Sequence, residues 1–216
     1  MAVDLGTTTI AMQLVEMASG RIVDTCAKMN PQRRFGSDVL SRIQAAVNGH
    51  AQELKDSLWQ VLEEGVKQFE KTLASLHYQA DLKTAETEAV PSRIDLISIA
   101  GNTTMEHLFM GLPTASLGQS PFTPVDIGLQ KTSWKDIPIY VLPGISTFVG
   151  GDIVAGLYAC GMLSGKIECV KQLDSMAQTD YAEQSAAILL IDLGTNGELV
   201  LKRGDQMLAA ATAAGP

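Results

Sequence analysis

Residues 2–9 read Ala-Val-Asp-Leu-Gly-Thr-Thr-Thr, and residues 190–197 read Leu-Ile-Asp-Leu-Gly-Thr-Asn-Gly. The shared Asp-Leu-Gly-Thr recurs from Asp4 to Asp192, an offset of 188 residues. This repeat constrains the fold more than any single motif. It makes the chain a duplication and requires both copies to build the same local structure. Each copy leads into an apolar run, a turn and a second run. In the first copy these are Ile10 to Val15, Ser19-Gly20 and Arg21 to Ala27. In the second they are Glu198 to Leu201, Arg203-Gly204-Asp205 and Gln206 to Ala211. A three-stranded meander fits both.

Between the copies the pattern turns helical. Ser37 reads as the N-cap of a helix with apolar positions Val39, Leu40, Ile43, Ala46 and Val47, closed by Asn48-Gly49. A longer helix carries Leu54, Leu58, Val61, Leu62, Phe69, Leu73 and Leu76 at three- and four-residue spacing. Gln79 to Arg93 reads as a polar linker and Ile94 to Ala100 as a buried strand. Asn102 caps a helix with Met105, Leu108, Phe109 and Leu112, closed by Gly111 and Pro113. Leu112 to Asp136 reads as a long ordered loop, and Ile137 to Leu142 as a strand. Asp152 opens a helix to Leu163, which Ser164-Gly165 ends, and Glu168 to Ser185 is a polar connection.

This order predicts an α/β, ribonuclease-H-like fold: one complete lobe with a mixed five-stranded sheet, plus the first three strands of a second lobe. The lobe spans 1–165 with a helical insertion at 37–78, a connection covers 166–186, and the second lobe begins at 187–216. Ala211 to Pro216 reads as the loop before a further helix, so the chain is expected to be a fragment. Small residues along the Asp152 helix (Ala155, Gly156, Ala159, Cys160, Gly161) predict close packing between the halves, at a hinge. The apolar stretch from Leu199 to Ala211 predicts exposed edges, and with them disorder or a homodimer.

Composition narrows the partners. A net charge of −8 disfavours nucleic acid, and Arg33-Arg34 is a pair rather than a patch. Hydrophobic residues at 46% and charged residues at 19% describe a globular chain. Cys26, Cys160 and Cys169 are odd in number and lack a Cys-x-x-Cys pair. A disulfide framework is therefore not expected, a reducing cytoplasm fits, and the chain alone lacks the four thiolates of an iron–sulfur cluster. Met1 to Gly6 is unlike a signal peptide. Val149 to Leu163 is too short for a membrane span and carries Asp152.

The repeated loops point to anion chemistry. Glycine lets main-chain N–H groups approach a phosphate, and threonine hydroxyls add donors. The candidates are Gly6, Thr7 and Thr8 on one side and Gly194, Thr195, Asn196 and Gly197 on the other. Thr9 begins the next strand. Asp4 and Asp192, each at a strand end, suit a hydrated Mg²⁺. Asp152 either positions or deprotonates an attacking water, as a catalytic residue alongside Asp4, or serves as an N-cap. Asn102, Thr103 and Thr104 either bind an anion through free N–H groups or only cap their helix. His50, His77 and His107 are too scattered for a metal site, and His107 reads as a surface or packing residue. Arg33, Arg34 and Asp38 face a partner protein, the nucleotide or solvent.

The two loops resemble the phosphate-1 and phosphate-2 motifs of the superfamily that contains acetate and sugar kinases, heat-shock chaperones and actin. Asp152 to Gly161 resembles actin's connecting helix, with Asp152 near the place of its catalytic glutamine. A narrower family matches along nearly the whole chain. Asn30-Pro31-Gln32, Phe35 to Val39, Ala100 to Met105, Pro121-Phe122-Thr123-Pro124, Val149 to Asp152 and Asp192 to Glu198 resemble the reductive activators of corrinoid proteins. The resemblance implies an actin-like ATPase module that binds ATP or ADP with Mg²⁺. It implies a larger parent with a ferredoxin-like [2Fe–2S] domain that is absent from this chain. That parent would use ATP to drive reduction of Co(II) to Co(I) in the corrinoid protein of a methyltransferase system. The family's adenosine-binding loop would follow Pro216, so weak nucleotide affinity and no activity are expected of the fragment alone. A kinase of a small acid or sugar, or a non-enzymatic nucleotide-switched binding module, would use the same loops.

Overall fold

The computed structural model describes residues 1–81, 93–163, 187–194 and 196–212. The polar linker (for the most part), Ser164-Gly165, the connection at 168–185, Cys169 and Thr195 lie outside the described residues. Three strands open the chain: β1 (Ala2–Leu5), β2 (Thr9–Val15) and β3 (Ile22–Met29). Alternate residues Val3, Leu5, Ile10, Met12 and Leu14 are buried on one face, as a two-residue period requires. Thr9 begins β2, as expected.

Two helices follow, α1 (Val39–Ala45) and α2 (Ala51–Asp81). Asp38, not Ser37, caps α1: its carboxylate accepts the Ser41 N–H at 2.8 Å. A charged acceptor at the N-cap outcompetes a hydroxyl one residue further from the first turn. The first helical stretch ends where Asn48-Gly49 was expected to close it: Gly49 takes φ 101 inside the turn at Ala46–His50, and the two helices meet there at a kink. That φ suits a residue without a Cβ. Leu40 and Val47, read as core positions, are 60% and 53% exposed, whereas Ile43 is buried.

Helix α2 covers the apolar face of β1–β3. Leu54, Leu58, Val61, Leu62, Val66, Phe69 and Leu73 are all buried there, and each such side chain contributes about 1.5–3 kcal/mol. Gly65 makes the close approach possible, since a Cβ there would stand 2.3 Å from the Met12 Sδ.

Strand β4 (Ile97–Gly101) lies parallel to β1, and α3 (Thr103–Met110) follows it. The Asn102 side chain caps α3 by accepting the Met105 N–H at 3.0 Å, and Gly111 closes it at φ 76. Trp59 of α2 stacks on Phe109 of α3 at 4.8 Å and donates to its carbonyl at 3.0 Å.

The stretch read as one loop from Leu112 to Asp136 instead contains a 3₁₀ turn (Ala115–Leu117) and a strand, β5 (Gln130–Trp134). β5 turns tightly into β6 (Ile137–Val141), which lies parallel to β4. The sheet therefore has six strands, not five, in the order β3-β2-β1-β4-β6-β5. Without the antiparallel β5 it is the ribonuclease-H-like order the sequence predicted.

Helix α4 spans Gly151–Ala159 and stops short of Leu163, with Gly161 at φ 69 just beyond it. The second sheet is the expected meander: β7 (Ala187–Leu193), β8 (Gly197–Arg203) and β9 (Gln206–Thr212). α4 lies between the sheets. Ile153 and Leu157 join Val149, Met162 and Val200 in a small core on which Ile188 and Leu190 pack. Gly156 comes close enough that a Cβ would touch Leu190 at 3.7 Å. No helix among the described residues is long and apolar enough to cross a membrane.

Candidate functional site

The β1–β2 loop owes its shape to groups behind it. The Gly6 carbonyl accepts the Asn30 Nδ2–H at 2.8 Å, and the Thr8 carbonyl accepts the Asn30 backbone N–H at 2.9 Å. The Thr7 carbonyl accepts the Arg42 Nη2–H at 2.6 Å. In a trans peptide the C=O and the following N–H point in opposite directions. Three carbonyls held to the rear therefore turn the N–H groups of Thr7, Thr8 and Thr9 forward. A row of forward N–H groups is an anion-binding concavity.

In front of that loop lies a cleft of about 700 Å³. Gly6, Thr7, Thr8 and Asp4 line one side, and Asp192, Gly194 and Asn196 the other. Asn102 and Asp152 also line it. Asn102 ties α3 to the loop, because its Nδ2 donates to the Thr7 Oγ1 at 3.0 Å.

Three of the candidates, Thr103, Thr104 and Gly197, are not brought to the cleft, and Thr104 is buried. Thr103 is 1% exposed, and its hydroxyl donates to the Ser146 carbonyl at 2.7 Å. Gly197 pairs with Leu193 inside the hairpin, where a Cβ would meet the Thr212 Cγ2 at 2.9 Å. Thr195 lies outside the described residues.

Asp152 stands in the first turn of α4, but it is not the N-cap; Gly150 is. Its Oδ1 accepts the Ile153 N–H at 2.8 Å. Burial, reinforced by Asp192 and Asp4, pushes its carboxyl up to about 6. Burial and the Asp192 charge also raise Asp4.

Two further carboxylates belong to this cluster and were not singled out in the sequence. Glu198 lines the cleft directly across the ladder from Asp192. Burial and the charges of Asp152 and Asp192 push it up to about 7. The hairpin register alone places it there, so this residue could have been read. Glu106 lies behind the cleft, 7% exposed, and its Oε1 accepts the Gly101 N–H at 3.2 Å. Burial and then Asp152 push it up to about 8. No sequence signal marks it, because position four of a capped helix is ordinarily solvated.

Among the described residues, those lining the cleft include no lysine, arginine or histidine. Like charges placed opposite one another destabilise a sheet, so the cleft suits a ligand that brings cations with it. Among the described residues no three His, Cys, Asp or Glu side chains stand close enough to hold a metal ion by themselves. Magnesium usually keeps several waters and takes substrate phosphates as ligands, and the spread carboxylates fit that mode.

Over residues 1–164 the chain matches the family described as the RACo middle region. The chain belongs to the RACo family. Residues 186–216 match the family described as the C-terminal domain of RACo, the ASKHA domain, which has the actin-like ATPase fold. The corrinoid activation enzyme RamQ of Eubacterium limosum is 27% identical over 223 residues, covering all of this chain and 32% of RamQ. A reductase of Methanosarcina barkeri, described as specific for a Co(II) methylated-amine corrinoid protein, is 25% identical over 224 residues. That match covers all of this chain and 36% of the reductase. A solved structure of a reductive activator for corrinoid, iron–sulfur protein superimposes with a TM-score of 0.68 at 28% identity. It covers 99% of this chain and 30% of that one. The chain thus spans about a third of the length of the RACo-family relatives it matches.

Proposed function

We propose that this chain is the nucleotide-binding module of a reductive activator, in which ATP binding and hydrolysis drive reduction of Co(II) to Co(I) in a corrinoid protein of a methyltransferase system. The observation that carries the reading is the pair of repeated loops opposed across one cleft, each with an aspartate at its strand end. The matches to corrinoid activators support the partner. The domain reading keeps a first lobe over 1–165 and the start of a second at 187–216. An iron–sulfur cluster would belong to the parent protein outside this chain.

The residues divide the work. The forward N–H groups of Thr7, Thr8 and Thr9 and the Thr8 hydroxyl bind phosphate oxygens. Gly194 and Asn196 close on them from the second loop, with Thr195 proposed beside them. Asp4 and Asp192 hold the water shell of Mg²⁺, which when bound neutralises the charge on the phosphates. Asp152 accepts a hydrogen bond from the attacking water and takes its proton. A carboxyl raised to about 6 retains useful basicity near neutral pH. Asn102 holds Thr7 in place.

The test is hydrolysis of MgATP by the protein expressed from its whole gene. Slow hydrolysis that changes on addition of a corrinoid protein is expected. Asp152→Asn should lower the rate by about 10²-fold or more and leave binding intact. Phosphoryl transfer to acetate or a sugar, with no response to corrinoid protein, would overturn the reading in favour of a kinase.

A further inference from the structure

Arg42 is 0% exposed, although it lies on a short helix whose neighbouring Leu40 is mostly solvated. Its guanidinium uses every edge. Nη2 donates to the Thr7 carbonyl at 2.6 Å, and Nε to the Gly36 carbonyl at 3.2 Å. Nη1 donates to the Gln32 Oε1 at 3.3 Å and to the Met105 Sδ at 3.2 Å. Gln32 is itself fully buried and held on both sides: its N–H donates to the Asn30 Oδ1, and its Nε2 donates to the Leu54 carbonyl, each at 2.9 Å. Asn30, Gln32 and Arg42 thus form one continuous bracket running from α2 to the rear of the β1–β2 loop.

Among the described residues no carboxylate stands within ion-pair distance of Arg42. Asp38 acts on it only from beyond that distance, and a buried cation without a directly paired carboxylate is a poor device for stability, since an apolar residue of similar volume ordinarily serves as well or better. Burial presses its ionisation only down to about 10, so the guanidinium stays charged at neutral pH. Its positive charge faces the back of a loop whose front opens on a cleft with no basic lining residue among the described residues.

We propose that Arg42 is the positioning residue of the first phosphate loop. It holds the Thr7 carbonyl to the rear so that the loop N–H groups face the cleft, and it supplies from behind the fixed positive charge that a bound polyphosphate balances. The bracket gives a task to the Asn30-Pro31-Gln32 and Gly36 to Arg42 segments, which no other part of the site explains. The proposal rests on the nucleotide-binding reading.

The experiment compares wild type, Arg42→Lys and Arg42→Met in the protein expressed from its whole gene. Affinities for MgATP and for adenosine are read by calorimetry, and melting midpoints in the absence of ligand. Lysine keeps the charge, and methionine keeps the length without charge or donors. We expect the dissociation constant for MgATP to rise about threefold for Lys and tenfold or more for Met, at unchanged adenosine affinity. A role confined to packing would lower both midpoints and leave the ratio of the two affinities unchanged, which would overturn the proposal. Should Arg42→Met not fold, Asn30→Ser carries the same test. It removes the donor to the Gly6 carbonyl, and the same selective loss of MgATP affinity is expected. Wild type that binds no MgATP would overturn the nucleotide reading itself. Wild type that binds MgATP while Arg42→Met binds equally well would overturn the positioning role alone.

Discussion

Glu106 and His107 are adjacent in sequence, both buried, and opposite in their response to pH. Glu106 sits behind the cleft with burial and Asp152 raising its carboxyl to about 8 from an ordinary 4.5. The folded state therefore binds that proton more tightly than the unfolded state. Its favourable contribution is complete below the ordinary value and is lost as pH rises through about 8. Glu106→Gln should consequently melt a few degrees above wild type near pH 9 and level with it near pH 5. Scanning fluorimetry at the two pH values checks this, and equal loss at both would show that the ionised form is needed.

His107 bonds to the Thr103 carbonyl through Nδ1 at 2.7 Å and accepts the Val125 N–H at Nε2 at 3.2 Å. A carbonyl can only accept and an N–H can only donate, so the ring is held neutral with its proton on Nδ1. Burial lowers its pKa below the ordinary 6.5, and protonation breaks the bond to Val125. The stability it confers is present above 6.5 and is lost as pH falls. The gap in melting midpoint between wild type and His107→Asn should therefore narrow from about pH 7.5 to about pH 5.5.

At the scale of elements, α4 is fixed by two glycines that no helix propensity would favour. A Cβ on Gly150 would stand 2.4 Å from the Gly101 carbonyl oxygen, and one on Gly151 2.4 Å from the Glu106 Oε1. Backbone cannot yield as a side chain does, so Gly150→Ala should cost about 1–3 kcal/mol or more in denaturant unfolding. The meanders, the amphipathic α2 and the caps of α3 were legible because each is written locally, in a two-residue alternation, a 3–4 spacing or an Asn…Gly pair. Strand β5 was not. Its Gln-Lys-Thr-Ser-Trp is polar because it is an edge strand, with exposed and half-buried residues alternating. The turn that returns it uses Lys135 at φ 50 rather than the usual Asn-Gly. The opposed loops of the site were legible from the repeat, whereas Arg42 and Glu106 were not. Their burial is decided by partners distant along the chain (Thr7 lies 35 residues before Arg42) and not by neighbours.

In the whole molecule the two sheets treat equivalent faces differently. Leu5 and Val3 are 2% and 5% exposed beneath α2, whereas Leu193 and Ile191 are 83% and 51% exposed. Leu189, Leu201 and Leu208 stand side by side across the ladder on the same face. Contiguous apolar surface of this kind drives association. The 216-residue chain with Leu189→Lys and Leu208→Lys should therefore elute closer to its monomer mass than wild type in light-scattering chromatography.

The repeat is also unequal where it matters most. Leu5 pairs with Ile10 with four residues between them, the last being Thr9 of β2, but Leu193 pairs with Gly197 with three between them. A cleft closed by two identical jaws could grip an elongated ligand either way round. With a longer, threonine-rich jaw on one side and a shorter one on the other, the two ends of a polyphosphate are no longer equivalent, and entry has a head and a tail.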